Sequence, residues 1–368
     1  MPVVRRRVPV VTVTVRAEVL QPLVASVLTA WQLSPDDAHA AATAITDADL
    51  AGIDSHGVCM LPTYERLRDS GELVPAATVE VLRETAVTAL LDARGGLGHP
   101  AAVRAVTLAG DKARDHGVGV VAVRGSSHFG AAGYYARLAA DRGLLALVTT
   151  SARTVSVVPT RGAVPALPTN PLAFAAPARR SPPFVLDMST STTAINKVKV
   201  HGFSDRPLPE GWVLDRSGSP VTDPHEAMRT IRDPGPGGLT PLGGTAELSS
   251  HKGYGLALMV QILSATLSGA DPVGGRDGRV EIGHFFLALD PGVFRASGAF
   301  EADVDDALDA LRATPPLDPA LPVLVAGDPE TACRTARVRD GVPLTAAVHE
   351  QLRGVCARAG VPFPVDGG

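Results

Sequence analysis

Cysteine is scarce in this sequence: Cys59, Cys333 and Cys356 are the only three in 368 residues, and they lie far apart. An odd, dispersed set excludes a disulfide framework and points to a reducing, cytoplasmic setting. Cys59 lies close to His56, where a small packed thiol outweighs a nucleophile as the reading. There is no run of about eighteen apolar residues, so no helix is expected to span a membrane. A surplus of positive charge is missing as well. The 34 basic and 38 acidic residues give a formal net charge of −4, which provides no field for gripping a polyphosphate and excludes nucleic acid as a partner. No GxGxxG follows a strand and no GxxxxGK[ST] occurs, so any dinucleotide site here is not of the doubly wound type. The ten histidines show no HxH or HExxH spacing, and there is no CxxC, so no metal site is expected.

What is present is apolar mass. The chain is 45% hydrophobic and only 20% charged, enough for a large core and for more than one domain. Its 37 glycines and 31 prolines are spread along the chain as turn signals, not gathered into a disordered tract. The opening MPVVRRRVPVVTVTV lacks a small-residue cleavage site, and Pro9 interrupts its apolar stretch. It reads as an N-terminal extension over residues 1–14, not a secretory leader.

Leu20, Leu23, Val24, Val27 and Leu28 recur at helical spacing. Ser34-Pro35-Asp36-Asp37 then starts a second, alanine-rich helix, with serine as N-cap and proline at the first position. A third helix is expected over Leu61–Ser70. From Ala77 the period changes: strands at 78–82, 88–92, 117–123 and 144–150 alternate with helices at 100–116 and 130–142, the rhythm of an α/β layer. Phe184–Met188 is a short strand ending in a carboxylate. His251–Ser268 is expected as a long helix buried nearly all round, preceded by a loop over Asp233–Ser250. A strand through Leu289, an acidic helix near Asp303–Arg312, a proline-rich linker and a helix over Leu344–Ala359 complete the chain.

Four segments carry candidate chemistry. Asp54-Ser55-His56-Gly57 places an imidazole on backbone that can approach a ligand closely, although a helix-terminating turn accounts for the same residues. Ser126-Ser127-His128-Phe129-Gly130 follows a buried strand and opens a helix, where ligands of α/β proteins collect. An imidazole there can exchange a proton with a substrate hydroxyl, and function outweighs a bare capping turn. Asp187 ends an apolar strand. It either accepts a hydrogen bond from an imidazole, fixing its tautomer, or caps the following Ser189–Thr193 turn. His251-Lys252-Gly253 begins an apolar helix, and Lys252 with free amides suits a phosphate or carboxylate.

Together ADLAGIDSHGV, SSHFGAAGYYA, PTNPLAFAAP, VLDMSTS, LPEGWVLD, HKGYGLALMVQILSATLSGA and GHFFLALDP resemble one family, the type-2 malate/L-lactate dehydrogenases, over residues 15–362. That family includes ureidoglycolate and sulfolactate dehydrogenases and the Δ1-piperideine-2-carboxylate and Δ1-pyrroline-2-carboxylate reductases. The resemblance implies an α/β, non-Rossmann fold. A mixed-sheet cofactor domain (76–299) is joined to helical N- and C-terminal parts (15–75 with 300–368). It further implies a homodimer, NAD or NADP as cofactor, and a small 2-oxo, 2-hydroxy or 2-imino acid as substrate. His128 matches the proton-transfer histidine, with Asp187 and His56 completing the catalytic set. Ser126, Ser151, Thr169, Asn170, Leu186, Asp187, Met188, His251, Lys252 and Gly253 match the cofactor-binding stretches. The sequence departs from the pattern at Met60, where many relatives carry an arginine suited to a substrate carboxylate. Arg153 or Lys197 would then take that carboxylate, or the substrate differs. Asn196 replaces a usual glycine, Ser249-Ser250 a glycine pair, and AGDPE the usual PGExE. The expected activity is hydride transfer at C2 of a 2-hydroxy or 2-oxo acid, with cyclic-imine reduction the alternative, favoured by Met60. A non-catalytic cofactor-binding homologue is a reading of another class, and a metal-dependent hydrolase a more distant one.

Overall fold

A computed structural model describes residues 12–203, 205–233, 235–271 and 281–363. Its elements begin with β1 (Thr12–Val15), α1 (Ala17–Ala30), α2 (Pro35–Leu50) and α3 (Leu61–Asp69). Next come β2 (Glu80–Glu84), β3 (Thr88–Gly96), α4 (Gly98–His116), β4 (Val118–Ser126), α5 (Ala132–Ala140), β5 (Leu145–Thr150), β6 (Leu172–Ala176) and β7 (Phe184–Met188). An insertion holds α6 (Ile195–Phe203), β8 (Val213–Leu214), α7 (Pro224–Arg232), β9 (Gly238–Leu239) and α8 (His251–Gln261). Last are β10 (Ile282–Leu289), α9 (Ala299–Arg312), α10 (Asp328–Asp340), β11 (Val342–Thr345) and α11 (Ala346–Ala359). Among the described residues, no helix is long and apolar enough to cross a membrane.

The chain forms two compact units. One comprises the described residues up to Ala76 together with those from Asp328 onward, and the other runs from Ala77 to Gly327. In the first, α2 starts as its sequence dictates: Ser34 accepts a hydrogen bond from the Asp37 N–H and Pro35 occupies the first turn. Its buried Ala38, Ala41, Ala42 and Ile45 pack on α1, which supplies Leu20, Val24, Val27 and Leu28. Bidentate pairs tie in the C-terminal helices, Arg334 on Asp47 and Arg358 on the buried Glu65. Residues 12–14, expected as extension, instead form an antiparallel pair with β11, from Thr12 opposite Thr345 to Val15 opposite Val342. Residues 1–11 of that expected extension lie outside the described residues. Residues 300–327, expected with the helical part, fall with the sheet. Asp305 of α9 is the reason: its buried carboxylate accepts the backbone N–H groups of Arg179, Arg180 and Ser181.

The second unit is built on a mixed sheet in the order β2-β3-β4-β10-β5-β6-β7. The β3–β4 pair is parallel, while β10 runs antiparallel to both β4 and β5. The alanine-lined faces of α4 and α5 cover one side, where Leu91, Val121, Val123, Val148 and Phe286 are fully buried. Opposite them, a π-helical turn over Ile262–Thr266 continues α8 and packs on β10 and β5, with the Thr149 and Ser264 hydroxyls 2.7 Å apart. The insertion has its own core of Val198, Val213, Ala227, Ile231, Leu239 and Ala257.

One expectation is overturned here. The His251–Ser268 helix is not buried all round, because Leu258, Met259, Ile262 and Leu267 are exposed on this chain. Only one face of the helix rests on the sheet and the insertion, and none of the described residues covers the other.

Candidate active site

The sheet unit gathers the candidate residues at the ends of its strands. β4 delivers Ser126, and the chain then turns through Ser127, His128 and Phe129 into α5. The Gly98 N–H donates to the His128 carbonyl at 3.2 Å, which pins this turn to the start of α4. Phe129 is its buried anchor. Its ring lies 4.9 Å from that of Tyr135, whose hydroxyl donates to the Phe129 carbonyl. His128 is half-buried, with the buried His99 ring edge-on at 6.4 Å. No serine caps α5, whose N-cap is Ala131 with no side-chain bond, so the bare capping turn is not what these residues form.

That capping role falls to Asp187. Its Oδ2 accepts the Gly133 N–H at 2.7 Å, a carboxylate set at the positive end of α5. β7 is an edge strand, so Asp187 is exposed and Leu186 and Met188 are only partly covered. Beyond β7, Thr190 donates through its N–H and hydroxyl to the Thr169 carbonyl, and its hydroxyl also lies within donating distance of the Asn170 backbone carbonyl. The buried Asn170 amide donates to the Ala257 carbonyl and to Gln261, which fastens the TNP segment to α8. Ser151, at the end of β5, binds the Gly283 carbonyl through its N–H. His251 and Lys252 are exposed in the first turn of α8, and Lys252 forms no ion pair among the described residues. Gly253 serves packing: a Cβ there would lie 2.3 Å from the Leu242 carbonyl oxygen. Lys197, a candidate for the substrate carboxylate, is exposed on α6.

A residue that sequence reasoning missed lies beneath this surface. His284 on β10 is fully buried. Its Nε2 meets Ser126 Oγ at 2.8 Å and its Nδ1 meets Thr150 Oγ1 at 2.7 Å, while its ring stacks on Phe129 at 4.5 Å. Burial pushes its imidazole down to about 3, so the ring is neutral. The GHFF segment had entered only as a family resemblance, and no neighbouring residue in sequence marks the histidine.

His56 belongs to the other unit. α2 ends at Leu50, and the DSH residues form a separate 3-10 turn, so this histidine does not terminate the helix. Its Nδ1 lies 2.8 Å from Ser55 Oγ, and burial holds the imidazole below its usual range. The Cys59 thiol donates to the Asp54 carbonyl at 2.9 Å, and Met60 is half-buried nearby in sequence. Under the turn sits Asp49, 2% exposed, whose Oδ2 accepts the Val58 N–H at 2.9 Å. Gly57 makes room for it, since a Cβ there would stand 1.7 Å from Asp49 Oδ1. Arg337 of α10 donates to the Asp49 carbonyl and to the Asp54 carboxylate, closing the turn from the far side.

Burial pushes the Asp49 carboxyl up to about 7; the Val58 N–H and Arg337 oppose the shift and Asp54 adds to it. The unfolded value is about 3.9. The folded state therefore binds the proton more tightly between these limits. The stability contributed by the neutral acid is complete below about pH 4 and lost as pH rises towards 7. Asp49→Asn is accordingly expected to flatten the decline in unfolding free energy between pH 5 and 8 by an amount on the order of 1–4 kcal/mol. Denaturant melts of both proteins across that range check this, and parallel slopes would refute it.

Among the described residues no cluster of three or more His, Cys, Asp or Glu side chains is arranged to hold a metal ion. A family model for malate/L-lactate dehydrogenase matches residues 15–353. The malate dehydrogenase of Pyrococcus horikoshii is 36% identical over 340 residues, spanning 91% of this chain and 92% of that protein. The solved structure of malate dehydrogenase from Entamoeba histolytica superimposes with a TM-score of 0.92 at 31% identity, covering 96% of this chain and 100% of that one. The structure of Δ1-piperideine-2-carboxylate reductase from Pseudomonas syringae pv. tomato gives 0.81 at 29%, covering 94% and 100%.

Proposed function

Because the chain belongs to the malate/L-lactate dehydrogenase family, we propose that it is an oxidoreductase moving hydride between NAD or NADP and C2 of a small 2-hydroxy or 2-oxo carboxylic acid, with His128 as the proton carrier. The observation that supports this most is the turn at 126–133. It presents a half-buried imidazole on backbone held from both sides, by Gly98 at residue 128 and by Tyr135 at residue 129. In the oxidative direction His128 takes the proton of the C2 hydroxyl as the C2–H bond gives up its two electrons. In reduction the protonated ring returns it to the developing oxyanion.

The donor set fits a dinucleotide. Lys252 forms no ion pair among the described residues, lies in the first turn of α8 beside a helix start at Ser250 with no side-chain cap, and suits a pyrophosphate. Thr169 adds a partly exposed hydroxyl, and Leu186, Asp187 and Met188 form an edge, whereas Ser126 and Ser151 are buried with their hydroxyls bonded to His284 and to the Gly283 N–H and so shape the site from beneath. When bound, the nicotinamide ring supplies the hydride acceptor or donor. Asp187, committed to Gly133, is the strut that fixes α5 behind His128. His56 is proposed as a further substrate-side imidazole.

Cyclic-imine reduction is the second reading. Met60 favours it, since a thioether suits a ring where an arginine would suit a second carboxylate, and one structural neighbour carries that activity in its name. The test is turnover of pyruvate, oxaloacetate, 2-oxoglutarate and the two cyclic imines with NADH and with NADPH. A 2-oxo acid is expected to be the best substrate. Turnover of the imines alone transfers the assignment to the second reading, and cofactor binding without turnover of any member indicates a non-catalytic homologue. We further propose that a second copy covers Leu258, Met259, Ile262 and Leu267. A monomer mass by sedimentation would refute that.

A further inference from the structure

We propose that His284 is a positioning residue for the reaction: its buried ring, bonded to Ser126 and Thr150 and stacked on Phe129, sets the height and orientation of the turn that carries His128. The inference rests on the reading of His128 as the proton carrier.

The geometry is two-sided. Ser126 precedes His128 by two residues and Phe129 follows it by one, and the same imidazole touches both, at 2.8 Å and through a stack tilted by only 5°. Its other nitrogen reaches across to Thr150 on β5, so the ring bridges the ends of two strands that do not pair with each other. The register of β10 against β4 slips between Ile282 and His284, a bulge that re-aims this side chain. Gly283 at the bulge accepts the Ser151 N–H, which carries the same fixed arrangement to a second candidate residue.

A neutral imidazole donates from one nitrogen and accepts at the other, and each hydroxyl can serve as its partner: Thr150 also reaches the Ser151 carbonyl at 2.8 Å and Ser126 the Ser127 carbonyl at 3.3 Å. A ring held neutral by burial keeps this pattern across the whole working pH range, so it holds the turn without adding a titration of its own. No other side chain offers a rigid planar ring with a donor on one edge and an acceptor on the other.

The test is a double-mutant cycle. His284→Phe keeps an aromatic stack and loses both hydrogen bonds. It is expected to lower kcat by roughly 10–100-fold, the scale of an ångström-level misplacement, with little change in KM for the cofactor. On a His128→Asn background the same substitution is expected to cost almost nothing further, because it acts through residue 128. Thr150→Val, which removes one bond and keeps the volume, is expected to give a smaller loss of the same kind, and serves if His284→Phe does not fold. Wild-type kcat in both His284→Phe and Thr150→Val overturns the proposal. So does an equal fold-loss on the two backgrounds, which marks a merely structural role. Should His128→Asn itself retain turnover, the underlying assignment of His128 fails first, and the two failures are read separately.

Discussion

His128→Asn is expected to lower kcat by about 10²–10⁴-fold, the range that positioned acid–base help supplies, while cofactor affinity stays essentially unchanged. Asparagine occupies similar space but cannot shuttle a proton. The bond from Gly98 to residue 128 runs between backbone atoms, so the turn survives the substitution. Phe129 and its contacts with Tyr135 and His284 are also untouched. Loss of turnover can then be attributed to the missing imidazole and not to a displaced chain. The pH–rate profile gives a second reading, because the limb that an imidazole imposes should vanish from the variant. Near wild-type turnover, with cofactor bound, would remove His128 from the mechanism.

Gly98→Ala is expected to be nearly as damaging although it alters no reactive group. In an ordinary helix the change favours folding by about 1 kcal/mol. Here the new Cβ would stand 2.3 Å from the Ser127 carbonyl oxygen and 2.8 Å from the His128 carbonyl carbon and oxygen. All three are backbone atoms, so no flexible side chain can swing aside, and overpacking of this kind costs about 1–3 kcal/mol. The clash therefore outweighs the propensity gain. Relief requires the 126–130 turn to lift off α4, and a shift of about 1 Å at the reacting group is worth about 10²-fold in rate. Calorimetry and kinetics on the purified variant check both effects. An unchanged melting temperature with full activity would mean that the α4 start and the His128 turn are not in contact as described.

The sheet was legible where side chains alternate. β3, β4 and β5 show buried residues at every second position over most of their length, and Ser34-Pro35 marked the start of α2 to the residue. β6, with the sequence LAFAA, has neither β-branching nor alternation, and only pairing with β5 and β7 makes it a strand. α6 reads INKVKVHGF, an alternating valine pattern that suggests a strand, yet Val198 is drawn into a helical core with Ala227 and Ile231. α10 buries none of its residues fully and is held by charge, through Arg334 and Arg337 on partners nearly 290 positions away.

The same distance hid part of the candidate site. His128 could be found because a strand end and a helix start flank it in sequence. His284 could not, because Ser126 and Thr150 lie 158 and 134 residues away. Asp187 was noticed, but not the bond it accepts from the amide of Gly133, 54 residues back. The exposed face of α8 shows a different limit. Composition marks a helix as apolar, and it does not say whether the chain itself or another molecule covers each side.

The place of β10 in the sheet has a consequence for biosynthesis. β4 and β5 are made early, but the strand that lies between them ends at Leu289. A ribosome must therefore add some 140 further residues after β5 before either can pair with it. Until then the nascent chain carries two apolar strands with bare inner borders, the kind of surface that recruits foreign strands. Closing so long a loop is a slow step, and the buried histidine arrives with the strand that closes it. Completion of the sheet and placement of His284 against Ser126 and Phe129 are thus one event, and a chain that stalls before residue 282 has neither.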